Sequence, residues 1–267
     1  MPVTSMRTGL AQLGAAEVET ARDALGGAGT LILRDSVDVE AVEAAHAAVV
    51  EDLCGLDLEA LGRRGIRVGD KRYMVTLELE PPFDRPAIFA SPPLVAVARA
   101  VLGAGVVINS FAVVIALPGA PAQRVHVDHE PLFPHDGAVS MSAPAYALTG
   151  IVPLLDLRES TGSTEVWPRG DAPAVPDAWT EKQDGSTVLS LAAGDAAFID
   201  YRVCHGGTAN PGLVPRPILY IVYSRPWFRD ADNFSEMPPL RVSPTHLERV
   251  PAEHRSLFAV AAAGHQV

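Results

Sequence analysis

The stretch Gln123-Arg124-Val125-His126-Val127-Asp128-His129 decides how this chain folds and what chemistry it supports. We predict a β-strand here, and in a strand every second side chain points to the same face of the sheet. His126 and Asp128 would therefore share a face, as two ligands of one metal ion must. A His-x-Asp triplet alone is weak evidence, because a simple hydrogen bond between the two side chains accounts for many of them.

A second histidine and an arginine further along the chain complete the pattern. His205 follows a predicted strand, and Arg216 lies on the next strand after a loop rich in Pro and Gly. Two imidazoles and one carboxylate can occupy one face of an octahedral Fe(II) and leave three positions open, as in non-haem iron oxygenases. A guanidinium binds carboxylates through two parallel hydrogen bonds, so Arg216 is suited to hold the far carboxylate of a 2-oxoacid cosubstrate.

The composition excludes several classes of partner. The 267 residues suffice for one large domain, and 48% of them are hydrophobic. A formal net charge of −11, with Lys71 and Lys182 as the lysines, argues against a nucleic-acid-binding face. The apolar runs at 106–108 and 111–117 are too short to span a membrane, and the N-terminus lacks the apolar region of a signal peptide. We expect a soluble cytoplasmic protein with a small-molecule substrate and no nucleic-acid or membrane partner; its oligomeric state stays open.

Short strand-like segments dominate the second part of the chain, between turns rich in Pro and Gly. We predict strands at 106–117, 124–129, 146–155, 187–191, 196–200 and 218–227. Such a series is typical of an antiparallel sandwich or barrel. Helical spacing is confined mostly to residues 1–104, so the sequence predicts a mainly β jelly roll of about 105–228 with flanking N-terminal helices. Residues 171–185, rich in Pro and Asp, are expected to form a surface loop.

The chain resembles the phytanoyl-CoA dioxygenase-like Fe(II)/2-oxoglutarate oxygenases over about residues 31–227. The resemblance rests on the early strand and helix, on the segment from Gln123 to His129 and on the stretch 194–216. It implies a double-stranded β-helix, a cupin-like jelly roll, in a single domain of residues 1–267. One stretch departs from the family pattern, which commonly has Pro-Gly-Ser/Thr-His after the central strands. Here Thr164-Glu165-Val166-Trp167-Pro168 precedes Arg169-Gly170-Asp171, and we expect this stretch on a loop outside the metal shell.

The resemblance also implies roles for single residues. His126, Asp128 and His205 would bind Fe(II), Arg216 would bind the distal carboxylate of 2-oxoglutarate, and the Thr208 hydroxyl would assist Arg216. Together with O2, such a site hydroxylates an unactivated C–H bond and releases succinate and CO2. The carboxylate at Asp128 favours hydroxylation over halogenation, since related halogenases lack it. The expected substrate is a natural-product intermediate or an amino-acid-like compound.

Five further residues are candidates for substrate contact: Arg72, Tyr73, Asn109, His129 and Trp227. For the first three, structural hydrogen bonding is the competing interpretation. His129 lies beside the predicted metal strand, where a fourth protein ligand would consume a coordination position that O2 or the cosubstrate needs. Trp227 would line the mouth of the pocket, although aromatic side chains more often serve packing.

Three other interpretations of the motif stay open at this stage. Without a metal, His126 would simply bond Asp128, and Arg216 would form an ordinary salt bridge. A zinc hydrolase with the same ligands would need a general base, for which Glu130 is available. A jelly-roll binding or sensor protein would keep the metal or the small-molecule pocket without catalysis. Within the oxygenase hypothesis, desaturation, epoxidation, ring formation and a fatty acyl-CoA substrate also remain open.

Overall fold

A computed structural model describes residues 2–169, 184–230 and 233–260 of the chain. The surface loop predicted at 171–185 lies almost wholly outside these residues. The helices, strands, contacts and cavities of the structure are those of these residues.

Eleven strands form two sheets. They are β1 (Thr4–Arg7), β2 (Thr30–Arg34), β3 (Ile66–Gly69), β4 (Arg72–Thr76), β5 (Val107–Ala116), β6 (Ala147–Pro153), β7 (Thr164–Trp167), β8 (Thr187–Val188), β9 (Ala196–Asp200), β10 (Cys204–Gly207) and β11 (Arg216–Ser224). The large sheet has the order β1-β2-β9-β6-β11-β5-β4-β3, and the small sheet has the order β10-β7-β8. Every pairing is antiparallel except that of β1 with β2. The double-stranded β-helix expected from the sequence is confirmed.

Helices gather before β5 and after β11. They are α1 (Ala15–Gly27), α2 (Val39–Val49) with a π-helical end at Val50–Cys54, α3 (Leu58–Arg64), α4 (Pro86–Phe89), α5 (Pro92–Leu102), α6 (Gly137–Ser142), α7 (Pro244–Arg249) and a 3-10 helix at Ala252–Phe258. The carboxylates of Asp38 and Asp57 accept hydrogen bonds from the backbone N–H of Ala41 and Ala60 and so cap α2 and α3. The first 104 residues also supply strands β1 to β4, so this flank is part of the large sheet as well as its helical cover.

Strand alternation divides the large sheet into an outer and an inner face. On β11, the side chains of Leu219, Ile221 and Tyr223 are buried against the helices in the main core. Burial of each aliphatic side chain contributes roughly 1.5–3 kcal/mol. Ile218 belongs to a second core between the sheets, which also contains Val166 of β7. The inner face of β11 therefore looks towards the small sheet.

Two predictions about strands are wrong. Residues 124–129 form no regular strand: only His126 pairs, through an isolated bridge to His205. The N–H of Gln123 donates to the carbonyl of Gly207, and the N–H of His126 donates to that of His205. Between these two hydrogen bonds one segment advances by three residues and the other by two, so the ladder is interrupted. The stretch Thr164–Trp167, expected on a loop, is β7 and pairs with β10, where Val166 lies opposite His205.

No helix in the described part of the chain is long and apolar enough to cross a membrane.

Candidate metal centre

Three side chains that can bind a metal converge between the sheets. His126 and His205 exchange backbone hydrogen bonds of 2.9 and 2.8 Å, and the N–H of Asp128 donates to the carbonyl of Tyr201. One ligand atom from each of His126, Asp128 and His205 lies within 4.8 Å of the others, and His205 Nε2 is 3.5 Å from Asp128 Oδ1. The structure thus brings the three predicted ligands together.

Backbone carbonyls fix the orientation of both imidazoles. Nδ1 of His126 lies 3.0 Å from the carbonyl oxygen of Arg124, and Nδ1 of His205 lies 3.0 Å from that of Val203. A carbonyl only accepts hydrogen bonds, so Nδ1 must carry the proton in both rings. In the neutral form of each ring, Nε2 then keeps its lone pair, which is the form in which histidine binds a metal.

The charges in the cluster also favour a cation. Desolvation, followed by repulsion from His205, lowers the pKa of His126 to about 4, so this ring is neutral at pH 7. Burial alone would raise the pKa of Asp128, but the two histidines and the hydrogen bond from Thr149 outweigh it and keep the carboxylate ionised. Burial opposes the charged form of His205, yet the Asp128 carboxylate outweighs that cost and raises the pKa of His205. The Asp128 carboxylate thus favours a positive charge at His205 Nε2, and a bound metal cation would take the place of that proton.

Two neighbouring groups hold Asp128 in place. The Thr149 hydroxyl on β6 donates to Asp128 Oδ2 at 2.6 Å. The side-chain amide of Asn233 donates to the Asp128 backbone carbonyl. Such partners of a metal ligand set its direction and contribute to metal affinity.

The cluster opens onto a cavity of about 100 Å³. His126 is the most exposed of the three ligands, whereas His205 is buried. The cavity is lined by His126, Asp128, Gln123, Thr149, Tyr201, Tyr220, Asp230, Asn233 and six apolar or small side chains: Val68, Met74, Ser110, Val114, Val222 and Phe234. A small molecule bound here would contact two of the three candidate ligands.

Arg216 and Arg72 form a second feature of the same interior. Both lie opposite Ala116 of β5, one on each neighbouring strand, so their side chains share a face. Arg216 Nη1 and Arg72 Nη2 donate to the same carbonyl oxygen, that of Thr208, at 3.2 and 3.1 Å. Both side chains are buried, and within the described ranges neither forms an ion pair.

The two guanidinium groups are incompletely satisfied. Nε of each has no hydrogen-bond partner in the described structure. Burial, and then repulsion from Arg72, lowers the pKa of Arg216 to about 9, which still leaves it protonated at neutral pH. Burial also lowers the pKa of Arg72. Two buried positive charges without a carboxylate are costly, and an anion would offset that cost.

Glycine makes room for both arginines. A Cβ added at Gly207 would collide with Arg72 Nη1, and one added at Gly162 would collide with Arg216 Nη1. Thr208 contributes in another way than predicted. Its hydroxyl accepts from the N–H of Ser163 at 2.7 Å, so the contact with Arg216 is made by the Thr208 backbone carbonyl.

The candidates for substrate contact lie in different places. Arg72 faces the interior beside Arg216. Tyr73, its neighbour on β4, points to the opposite face and is buried in the main core, which is against a substrate contact. The Asn109 amide donates to the Ser224 hydroxyl and to the Phe228 carbonyl at 3.2 and 2.9 Å, as in the structural interpretation.

His129 and Trp227 lie away from the small cavity. His129 lines a separate cavity of about 560 Å³ between the segment 127–134 and α6, and its ring packs against Phe228. Trp227 lies at the surface, 61% exposed, and its ring centroid is 6.5 Å from that of the buried Tyr146. Glu130, the base that a zinc hydrolase would need, also lines the larger cavity and not the one at His126 and Asp128.

The sequence did not indicate five polar residues of the cavity: Thr149, Tyr201, Tyr220, Asp230 and Asn233. Tyr220 had a signal, because it lies four residues after Arg216 on one predicted strand and therefore shares its face. Thr149 lies on a predicted strand whose inner face only the pairing reveals. Asp230 and Asn233 come from the irregular segment after β11, for which the sequence offers no periodicity.

No protein-family model matches the chain. Solved structures do resemble it. The non-heme alpha ketoglutarate dependent epimerase SnoN from nogalamycin biosynthesis is 18% identical over 82% of this chain and 86% of that chain, with a TM-score of 0.61. HygX from Streptomyces hygroscopicus, with nickel, 2-oxoglutarate and hygromycin B bound, is 14% identical over 81% and 89%, with a TM-score of 0.58. EctD from S. alaskensis is 21% identical over 90% and 91%, with a TM-score of 0.57. At these identities the likeness shows a common fold.

Proposed function

We propose that this chain is a cytoplasmic Fe(II)/2-oxoglutarate-dependent oxygenase, similar to the phytanoyl-CoA dioxygenase-like enzymes, that hydroxylates an unactivated C–H bond of a small molecule. Succinate and CO2 would be the other products. One observation carries the proposal: a His-Asp-His cluster lies inside the same pair of facing sheets as Arg216, which is buried and has no ion-pair partner in the described part of the chain.

The donor set fits Fe(II). Two imidazoles and one carboxylate from two segments of the chain would leave open coordination positions for a cosubstrate and O2. One ligand atom from each residue lies within 4.8 Å of the others, and His205 Nε2 lies 3.5 Å from Asp128 Oδ1, so the three could share one ion. His126, Asp128 and His205 would hold the metal, which when bound supplies the activation of O2.

The arginine pair fits a dicarboxylic 2-oxoacid. Arg216 has a buried Nε without a hydrogen-bond partner, and among the described residues its guanidinium donates to two backbone carbonyls, that of Thr208 and, at 3.5 Å, that of Thr161. A carboxylate can accept two parallel hydrogen bonds from one guanidinium, which a carbonyl cannot. We assign the distal carboxylate of 2-oxoglutarate to Arg216 and give Arg72 the role of a second positive charge beside it, in place of a substrate contact.

The protein's own groups would orient the reactants and limit water. Thr149 and Asn233 keep Asp128 aligned, and Nδ1 of each histidine is tied to the backbone. Met74, Val114 and Val222 add apolar surface to a cavity that is otherwise lined mostly by polar side chains, and the apolar part of a substrate would pack against them.

A free small molecule is the preferred substrate class. The acidic chain has few lysines to bind a phosphorylated carrier. Two of the structural neighbours are described with nogalamycin RO and with hygromycin B bound, which supports a small molecule here as well. One structural neighbour, SnoN, is an alpha ketoglutarate dependent epimerase, so a protein of this fold can catalyse a reaction other than hydroxylation.

Turnover of 2-oxoglutarate tests the proposal against a sensor or binding protein. Purified protein with Fe(II), ascorbate, O2 and 2-oxoglutarate should form succinate slowly without a substrate and faster with one from a metabolite mixture. A sensor that merely binds the cosubstrate would form no succinate above the level of the Asp128→Ala variant, and this outcome would overturn the proposal.

A further inference from the structure

Asp230 is a buried acid in the cavity that also contains two of the candidate metal ligands. Asp230 is 5% exposed and lines the cavity together with His126 and Asp128. The Asn233 side-chain amide contacts both Asp230 Oδ2, at 3.0 Å, and the backbone carbonyl of Asp128. A single amide group thus separates the Asp230 carboxylate from the segment that carries a metal ligand.

The partners of Asp230 are all neutral. Tyr201 Oη donates to Oδ2 at 3.0 Å, Asn233 Nδ2 donates to the same oxygen, and the backbone N–H of Asn233 donates to Oδ1 at 3.1 Å. No arginine, lysine or histidine forms an ion pair with it among the described residues. A buried carboxylate is ordinarily paired with a cation or a metal.

A purely structural role does not explain the charge. The backbone N–H of Asn233 needs one acceptor oxygen, which the amide of an asparagine at position 230 would supply equally well. Tyr201 can donate to such an amide oxygen or accept from the amide nitrogen. The negative charge is therefore an extra cost, because desolvation of an ion is offset only by a nearby opposite charge.

The interior carries charges of both signs. Arg72 and Arg216 lie opposite Ala116 of β5, where the distal carboxylate of the proposed cosubstrate would offset one of their two positive charges. Asp128 would be neutralised by the metal. Asp230 is then the one charged group lining the small cavity that the proposed iron and 2-oxoglutarate leave without a counter-ion in the described structure.

We infer that Asp230 determines substrate specificity: its carboxylate binds a cationic nitrogen, a protonated amine or guanidinium, of the substrate beside the metal. This inference rests on the proposed function for its biological meaning, but it concerns a separate side chain. It restricts the substrate to basic molecules, whose positive group would be anchored at Asp230 while a neighbouring C–H bond lies at the metal.

A pair of small probes of nearly equal shape tests the charge preference. Saturation-transfer NMR would measure binding of n-propylammonium and of 1-propanol to the protein, with and without Zn(II) and 2-oxoglutarate. We expect the ammonium ion to bind wild type at least tenfold more tightly than the alcohol. Equal affinities in wild type, which need no variant to interpret, would overturn the inference.

Asp230→Asn assigns the preference to this side chain, and Tyr201→Phe is the matched control because it keeps the carboxylate and removes one neutral donor. The preference should vanish in Asp230→Asn and persist in Tyr201→Phe. A preference that survives in folded Asp230→Asn, as judged by an unchanged melting curve, would overturn the inference. If Asp230→Asn fails to fold, the wild-type comparison still decides. Absence of succinate formation would refute the proposed function alone, since probe binding is measured independently of turnover.

Discussion

At the scale of single residues, the proposed function requires Asp128 to bind the metal, in a direction that Thr149 and Asn233 set. Asp128→Ala removes the only carboxylate of the cluster and should weaken Fe(II) binding roughly a hundredfold or more, with loss of turnover. Competition with a fluorescent chelator under anaerobic conditions measures the affinity.

Thr149→Val provides a graded control for this change. It leaves the ligand in place and removes the 2.6 Å hydrogen bond to Asp128 Oδ2. Loss of such a partner typically costs about 10- to 100-fold in metal affinity, so Thr149→Val should fall between wild type and Asp128→Ala. Unchanged iron binding in Asp128→Ala would contradict the ligand assignment.

The second prediction at this scale concerns the binding of 2-oxoglutarate by Arg216. Arg216→Gln should weaken 2-oxoglutarate binding by about 2–4 kcal/mol, which corresponds to roughly 30- to 700-fold in Kd. Fe(II) affinity should change little, because Arg216 is not part of the metal cluster. Isothermal titration of the Zn(II)-loaded protein with 2-oxoglutarate measures the effect. Arg216→Lys should also bind weakly, since an ammonium cannot form the two parallel hydrogen bonds.

At the scale of secondary-structure elements, β10 places a histidine ligand and a glycine-lined space for Arg72 within four residues. Gly207→Ala would drive Cβ into Arg72 Nη1 and towards Gln123 Oε1, at 2.7 Å. We expect a loss of about 1–3 kcal/mol in unfolding free energy and a roughly tenfold weaker affinity for 2-oxoglutarate. Thermal melting and the same titration give both values.

Gly206→Ala is the matched control for Gly207→Ala. Its Cβ would come no closer than 3.4 Å to a neighbour, the carbonyl oxygen of Arg124. It should therefore leave 2-oxoglutarate affinity close to that of wild type. Equal effects of the two substitutions would show that the space for Arg72 is not what matters.

The sequence predicted that His126, Asp128 and His205 come together, but it did not predict all the secondary-structure elements that carry them. The spacing of His126 and Asp128 required only that alternate residues share a face, and this holds at an isolated bridge as well as in a strand. The short strands β7 and β10 were missed, because four residues such as Cys204–Gly207, with two glycines, carry no strand signal of their own. Their pairing across the chain, which is not visible locally, forms them.

At the scale of the whole molecule, the proposed ligands should stabilise the fold by mass action. A ligand at a hundred times its Kd that binds only the native state adds about 2.7 kcal/mol of stability. Zn(II) with 2-oxoglutarate should therefore raise the melting temperature by several degrees. Pyruvate, which has the 2-oxoacid group but no distal carboxylate for Arg216, should raise it less. An equal rise with pyruvate would contradict the role of Arg216.

The fold class was predictable from the series of short strands, and the cavity was not. Thr149, Tyr220, Asp230 and Asn233 come together only when β6, β11 and the segment after β11 meet around one space. The residue types along the chain do not predict which side chains converge, because each of these residues would suit an ordinary polar or structural position.

The central claim is that His126, Asp128 and His205 bind Fe(II) while 2-oxoglutarate chelates the same ion. Anaerobic addition of Fe(II) and 2-oxoglutarate to the wild-type protein, followed by visible absorption spectroscopy, tests it most directly. The account predicts a metal-to-ligand charge-transfer band that needs all three components and is lost in Asp128→Ala. A wild-type protein that shows no band at saturating Fe(II) and 2-oxoglutarate, or a band that persists unchanged in Asp128→Ala, would contradict it.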